Sequence, residues 1–204
     1  MAANPVLNLV PQIRSTLQMA DPAQFREFLV EKIREFERYA RELRVPPETI
    51  IGARYCLCTL LDESAAQTPW GGSGVWSRHS LLVTFRNETW GGEKFFQLLS
   101  KLAQNPQQYR DLLELMYYCI SLGLEGRFRV VDNGRAQLET LRQRLWTILR
   151  DLGVGSDDNL SPHWQGASGA GTQGWRLLPA WVVACLVALI GLGCFLWFAF
   201  SLAN

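Results

Sequence analysis

The sequence has few of the residues from which metal and disulfide sites are built. It contains two histidines and five cysteines, and no two cysteines have the Cys-x-x-Cys spacing. An odd number of cysteines without such a pair indicates neither a disulfide framework nor a His/Cys metal site. We therefore expect reduced thiols on the cytosolic side of a membrane, with no bound metal.

An excess of charge of one sign is also missing. The 20 Lys+Arg against 19 Asp+Glu leave a net charge of +1, which gives no reason to expect nucleic acid as a partner. The glycine-rich stretch WGGSG lacks the Lys-Ser/Thr of a P-loop, and there is no Gly-x-Ser-x-Gly elbow. We therefore expect no nucleotide site, no serine-hydrolase site and no cofactor.

A cysteine nucleophile would need Cys56, Cys58 or Cys119 close to His79. All three cysteines lie in the most apolar helical segments, where structural cysteines are found. Cys56 and Cys58 are two residues apart and point to different sides of a helix, so they do not readily share a metal. We interpret them as core residues.

One long hydrophobic run is present near the C-terminus. Residues 177–202 form a run of 26 residues with no charged side chain, and a helix of about 20 residues crosses a bilayer. Every Lys and Arg precedes it, and Arg176 directly abuts it, so the positive-inside rule places the preceding chain in the cytoplasm. The N-terminus has no signal-peptide pattern. We predict a single-pass tail anchor with a cytoplasmic N-terminus.

Small residues recur along one face of this predicted span at spacings of four, four and three: Ala180, Ala184, Ala188 and Gly191. Such a stripe lets another helix backbone approach closely. It predicts a homodimer or pairing with another membrane protein through the span, although chance composition explains the stripe equally well.

The chain divides into three parts by composition. Residues 153–176 contain six glycines and almost no apolar side chains, which is typical of a flexible linker. Residues 1–152 have helical periodicity, so we predict an all-α soluble domain of six to eight helices, arranged as two small bundles, before the linker and the transmembrane helix.

The first long helix is predicted to start at Asp21, a good N-cap followed by Pro22. A second, apolar nearly all round, should begin at Pro47 and lie at the centre of the domain. LLVTF (residues 81–85) should be helical or irregular. The apolar face of the first helix consists of Phe25, Phe28, Leu29, Ile33, Phe36, Ala40 and Leu43. Three further helices are predicted at residues 93–104, 109–123 and 135–152.

The most unusual short stretch is LLDESAAQTPWGG, where Asp62 and Glu63 adjoin. Neighbours on a helix diverge by about 100°, so they do not face each other across a substrate as glycosidase carboxylates do. Either one acid makes a salt bridge or caps a helix while the other faces water, or the pair belongs to a partner surface. Trp70 and Trp90 each precede two glycines, and either pin loops or form an interface.

Four motifs together resemble one family: Leu-Asp-Glu (residues 61–63), Thr-Pro-Trp (68–70), Glu-Thr-Trp-Gly-Gly-Glu-Lys-Phe-Phe (88–96) and Gly-Leu-Glu-Gly-Arg-Phe (123–128). With them, nearly all of residues 10–152 is similar to the TssL/DotU (IcmH/DotU) family of bacterial type VI and type IVB secretion systems. Some members carry a peptidoglycan-binding extension after the membrane span, and we expect none in this chain.

The resemblance implies a hook-like cytoplasmic domain at the bacterial inner membrane, with the C-terminus in the periplasm. It implies a non-enzymatic scaffold that assembles with a TssM-like inner-membrane protein and a TssJ-like lipoprotein, and on which TssK/TssE-like baseplate proteins dock. The type VI branch fits better than type IVB. The residues expected to contact partners are Asp62, Glu63, Thr68, Pro69, Trp70 and Trp90.

Two other functions compete with this scaffold. A Bcl-2-like tail-anchored regulator would capture an amphipathic helix in a groove. That family has an arginine after Trp-Gly, whereas this chain has Gly92 and Glu93. A membrane-anchored hydrolase would use Asp62 and Glu63, but no nucleophile or metal ligand set accompanies them.

Overall fold

The structure is a computed structural model that describes residues 2–72, 76, 80–85 and 91–154. Residues 155–176 of the predicted linker, the predicted transmembrane span with its small-residue stripe, and Trp90 lie outside these residues. The described part is helical and contains no strand. Its elements are α1 (Asn4–Leu7), α2 (Leu9–Ser15), α3 (Pro22–Glu42), α4 (Pro47–Ala66), α5 (Leu81–Thr84), α6 (Gly91–Leu102), α7 (Arg110–Ser121), a 3₁₀ helix (Gly126–Arg129) and α8 (Gly134–Asp151).

None of these described helices is both long enough and apolar enough to cross a membrane.

The N-terminal helices α1 and α2 were not predicted from the sequence. Pro5 lies in the first turn of α1, where its missing N–H costs little. The two short helices bury Val6, Leu7, Val10 and Ile13 against the rest of the domain. Helices of four and seven residues are too short for a hydrophobic period to show in the sequence, so only their packing reveals them.

Helix α3 begins as predicted. The Asp21 Oδ1 atom accepts hydrogen bonds from the N–H groups of Ala23 and Gln24, both at 3.0 Å, and satisfies two of the free donors of the first turn. The centre of the predicted apolar face is buried. Phe28 and Leu43, however, are 43% and 54% exposed, because Phe28 lies one position from the buried stripe and Leu43 follows the last turn.

Helix α4 lies in the middle of the domain, as predicted. It packs against α2, α3, α5, α6 and α7. Its buried residues occur on every side of the helix, which is why its sequence shows no polar face. Those residues are Ile50, Ala53, Cys56, Leu57, Cys58, Thr59, Leu60, Leu61, Asp62, Ser64 and Ala65.

The later helices begin and end within about two residues of their predicted bounds, as helix assignments commonly do. Leu138, Leu145 and Leu149 form the buried seam of α8, which packs on α7 and on the 3₁₀ helix. LLVTF contributes α5, whose N-cap Ser80 accepts a hydrogen bond from the Val83 N–H. Buried side chains from the described helices form one hydrophobic cluster. The two-bundle division stays a prediction.

Candidate functional site

Asp62 lies near the C-terminal end of α4 and is turned into the domain. Its Oδ1 atom accepts hydrogen bonds from the Trp76 indole N–H at 3.0 Å and from the Leu81 N–H at 2.8 Å. Its Oδ2 atom accepts one from the Leu82 N–H at 3.0 Å. The side chain therefore caps the start of α5 and fixes Trp76, because two of the bonded amides belong to the first turn of that helix.

Burial raises the pKa of the Asp62 carboxyl, because a charged group is poorly solvated in the interior. The hydrogen bonds from Leu82, Leu81 and Trp76 act in the opposite direction, with the smaller effect. Among the described residues, the three groups that hydrogen-bond to the carboxyl are all N–H donors. Asp62 thus combines a costly burial with three hydrogen bonds from its own chain.

Glu63 holds a different part of the chain. Its Oε1 and Oε2 atoms accept hydrogen bonds from the backbone N–H groups of Glu125 (2.8 Å) and Gly126 (3.0 Å). Arg129 adds a salt bridge at 2.9 Å to Oε1. Glu63 therefore binds both ends of the 3₁₀ helix, and its side chain is only 12% exposed.

The two acids point to different elements, in agreement with the predicted divergence of neighbours on a helix. Asp62 binds the start of α5, and Glu63 binds the 3₁₀ helix more than sixty residues later. They do not face each other across a shared cleft. One part of the prediction is wrong: neither acid faces water, because both carboxyl groups have buried or half-buried hydrogen-bond partners.

The loop after α4 is shaped by Thr68. Its hydroxyl donates to the Ala65 carbonyl at 2.7 Å and accepts from the Gly71 N–H at 3.1 Å, so this buried side chain closes the turn. A side chain on Gly71 would collide with the Ala65 carbonyl, which explains the glycine. Pro69 lies exposed on the outside of the turn.

Trp70 is half-buried and joins the turn to the rest of the domain. Its indole N–H donates to the Thr16 carbonyl at 3.1 Å. Its ring meets Phe25 and Trp76 edge-on, with centroids 5.9 and 5.5 Å apart. Phe28 stacks on Phe25 at 6.1 Å and remains exposed. We call Phe25, Phe28, Trp70 and Trp76 the aromatic cluster; it directly adjoins Asp62.

Comparison with known proteins places this chain in a family. The family described as "Type VI secretion system protein DotU" matches residues 1–201. The chain belongs to the DotU family of type VI secretion system proteins. Because the match covers nearly the whole sequence, the resemblance predicted from the four motifs is confirmed, including its type VI branch.

Two solved structures are similar to this DotU-family chain. The crystal structure of TssL from Vibrio cholerae has a TM-score of 0.67 and 38% sequence identity, and covers 74% of this chain and 94% of that one. The cytoplasmic domain of TssL from Acinetobacter baumannii has a TM-score of 0.67 and 27% identity, with 74% and 96% covered. The curated proteins contain no match.

Membership in the DotU family makes the chain a component of the type VI secretion machinery, and the family is membrane-associated and structural. Family membership thereby favours a type VI secretion component over the Bcl-2-like regulator. The helical fold agrees with that of the TssL structures.

The buried cysteines agree with their interpretation as core residues. Cys56, Cys58 and Cys119 have no exposed surface. Burial raises the pKa of each thiol, to about 12 for Cys119, which is the opposite of what an activated nucleophile needs. Within the described residues no group of His, Cys, Asp and Glu is arranged to hold a metal.

Two features of the site were missed by sequence reasoning. Arg129 and the amides at residues 125 and 126 complete the Glu63 site, and no local pattern connects positions so far apart. Trp76 was not among the predicted site residues, whereas the structure makes it a partner of Asp62. The three-residue spacing of Phe25 and Phe28 on α3 was the one signal available for the aromatic cluster.

Proposed function

We propose that this chain is a non-enzymatic, tail-anchored scaffold subunit of the type VI membrane complex, which connects that complex to the cytoplasmic baseplate. Its partners would be a TssM-like inner-membrane protein, a TssJ-like lipoprotein and TssK/TssE-like baseplate proteins. The observation that carries the proposal is the end of α4, where two carboxyl groups immobilise loops around a partly exposed aromatic cluster.

In this proposal the six predicted contact residues divide into two roles. Asp62, Glu63 and Thr68 position the surface, because their polar atoms bond to the chain itself. Pro69 and Trp70, joined by the exposed ring of Phe28, touch the partner. Rigid aromatic side chains at a fixed turn are typical of interface hot spots. Trp90 is proposed as a further contact of the same kind.

The test is affinity purification of the tagged full-length protein from its native membrane, with partners quantified by mass spectrometry. Phe28→Ser combined with Pro69→Ser should lose the baseplate proteins and retain the inner-membrane proteins. Tyr39→Ser is the matched control, because Tyr39 is an aromatic residue of the same helix with 51% exposure. Unchanged recovery of baseplate proteins by the double variant would refute this docking surface, and recovery of no secretion protein by the wild type would refute the scaffold.

We also propose the membrane topology: a single span at residues 177–202 in the inner membrane, with residues 1–152 in the cytoplasm and the linker at 153–176 between them. Alkaline phosphatase fused after Asn204 should be active, and fused after Leu152 inactive; the reverse pattern would refute the orientation.

The small-residue stripe is proposed to pair this transmembrane helix with a second one. Ala184→Leu with Ala188→Leu should weaken association in a membrane two-hybrid assay, and unchanged association would contradict it.

A further inference from the structure

A groove lies between α6, the 3₁₀ helix and α8, on residues to which the family resemblance assigned no role. It has a volume of about 340 Å³. We call it the basic groove, and the described residues that line it are Phe96, Ser100, Arg127, Phe128, Gln137, Thr140, Leu141 and Arg144.

Among the described residues, the lining of the basic groove contains two cations and no carboxylate. Arg127 and Arg144 both line it and are exposed. Within the described part of the chain, neither arginine forms an ion pair. Their neighbours do: Arg129 pairs with Glu63 and Glu125, and Arg142 with Glu139. The groove therefore keeps an uncompensated positive charge in a chain that is almost neutral overall.

Arg127 is also held in place. Its guanidinium lies over the ring of Phe128 at 5.1 Å and over that of Phe96 at 5.7 Å. The two rings pack edge-on, with centroids 4.8 Å apart. A guanidinium stacked on aromatic rings loses little further freedom when it binds a carboxylate, which lowers the entropic cost of association. The stacking leaves its N–H donors available at the edge.

The groove also offers apolar surface and helical periodicity. Gln137, Thr140, Leu141 and Arg144 line it from α8 at spacings of three, four and seven, so they form one face of that helix. Leu141 is half-buried, and it lies between the polar members of that face. A ligand that fits must therefore supply negative charge for the arginines and an apolar group for Leu141 and Phe128.

We propose that the basic groove binds an acidic segment of a partner protein, which places carboxylates at Arg127 and Arg144 and an apolar side chain against Leu141 and Phe128. Arginine forks bind carboxylates bidentately, which gives such a segment a fixed register. A phosphate head group would engage the two cations and leave the apolar surface bare, so the lining favours a peptide. The proposal does not depend on the docking surface at the aromatic cluster, because the two share no residue.

The test measures fluorescence anisotropy of a short labelled peptide with the full-length protein in phosphatidylcholine nanodiscs. The peptide combines Glu and Leu at helical spacing, and two copies replace Glu by Gln or by Lys. The acidic peptide should bind wild type, and the Gln copy should bind about tenfold more weakly or worse. Equal affinity of the acidic and Gln peptides would overturn the proposal.

The groove itself is tested by Arg127→Gln combined with Arg144→Gln, which should weaken binding of the acidic peptide by about tenfold or more. Arg34→Gln with Arg38→Gln is the matched control: it removes the same charge from exposed positions on α3 and should leave binding unchanged. Equal weakening by both pairs would reduce the effect to overall charge and refute the groove.

Two further outcomes separate folding damage and lipid binding from the proposed contact. Arg127→Glu with Arg144→Glu should exchange the preference, so that the Lys peptide binds; a misfolded groove cannot gain a ligand. Failure of both peptides to bind this variant would refute the charge contact. If short-chain phosphatidylglycerol binds wild type at this groove and the acidic peptide does not, the ligand is a lipid and the peptide proposal falls.

Discussion

The charged side chains at the end of α4 are bound within the chain, whereas those in the basic groove have no ion-pair partner among the described residues. At the end of α4, Asp62 and Glu63 are surrounded by donors from their own chain, so their charges organise loops. In the basic groove, Arg127 and Arg144 have no carboxylate from the described chain. The pair of acids that attracts attention in the sequence is therefore internally satisfied, whereas two ordinary-looking arginines keep free binding capacity.

This contrast follows from desolvation. A buried carboxylate is tolerated only when hydrogen bonds replace its water, so a buried acid must use its oxygens within the fold. An exposed arginine keeps its water and needs no internal partner. Buried charge is consequently a poor indicator of a contact, and exposed charge held beside aromatic rings is a better one.

The largest effect is expected from Asp62→Ala. It leaves the Trp76 indole N–H and the amides of Leu81 and Leu82 without their acceptor, and unsatisfied buried donors cost about 1–3 kcal/mol each, so the loss should reach about 3–5 kcal/mol. Urea unfolding followed by tryptophan fluorescence measures it. Asp132→Ala, at an exposed acid, is the control and should change stability little; an equally small change at Asp62 would contradict the internal role.

Glu63→Ala should cost less, about 2–3 kcal/mol, because its partners are only half-buried and water can replace it. Hydrogen exchange should accelerate mainly at residues 125–129. Arg129→Ala removes one partially exposed partner and should cost under about 1 kcal/mol. Faster exchange spread evenly over all helices, rather than at the 3₁₀ helix, would show that Glu63 does not act through that element.

Features that depend on neighbouring residues could be predicted from the sequence, and features that depend on distant residues could not. The start of α3 is determined by two adjacent residues, Asp21 and Pro22, and the start of α4 by Pro47, so local chemistry was enough to predict both helix starts. The bond from Glu63 to Gly126 joins segments that meet only after α6 and α7 have packed on α4. No spacing rule reports such a contact.

The sequence singled out positions near the end of α4, and their role as partner contacts stays a prediction. The sequence singled out Asp62, Glu63 and Trp70, which the structure brings into two adjoining networks. It could not show that both acids point inward, because burial of a helix end depends on what later elements cover it. Arg127 was part of the Gly-Leu-Glu-Gly-Arg-Phe motif without a predicted role, and Arg144 gave no signal, since single arginines on helices usually face solvent.

A smaller effect is expected from pH. Burial raises the pKa of Asp62 in the folded protein above its value of about 4 in the unfolded chain. The protonated side chain therefore contributes its full stability below the unfolded pKa, and this contribution is lost as pH rises through the folded pKa. The stability of wild type relative to Asp62→Asn should therefore increase as pH falls from about 7 to about 4. Urea unfolding of both proteins across that range measures the difference; a decrease would mean that the three donors outweigh burial.

The smallest effect on stability should come from Arg127→Gln with Arg144→Gln, the variant that removes the charge of the basic groove. Surface substitutions without buried partners usually stay within about 0.5 kcal/mol, and the cation–π contacts of Arg127 add at most about 1 kcal/mol at an exposed site. Urea unfolding should thus barely separate this variant from wild type, while Asp62→Ala unfolds far earlier. If the arginine pair proved as costly as Asp62, its charges would be structural as well, and the contrast between the two regions would disappear.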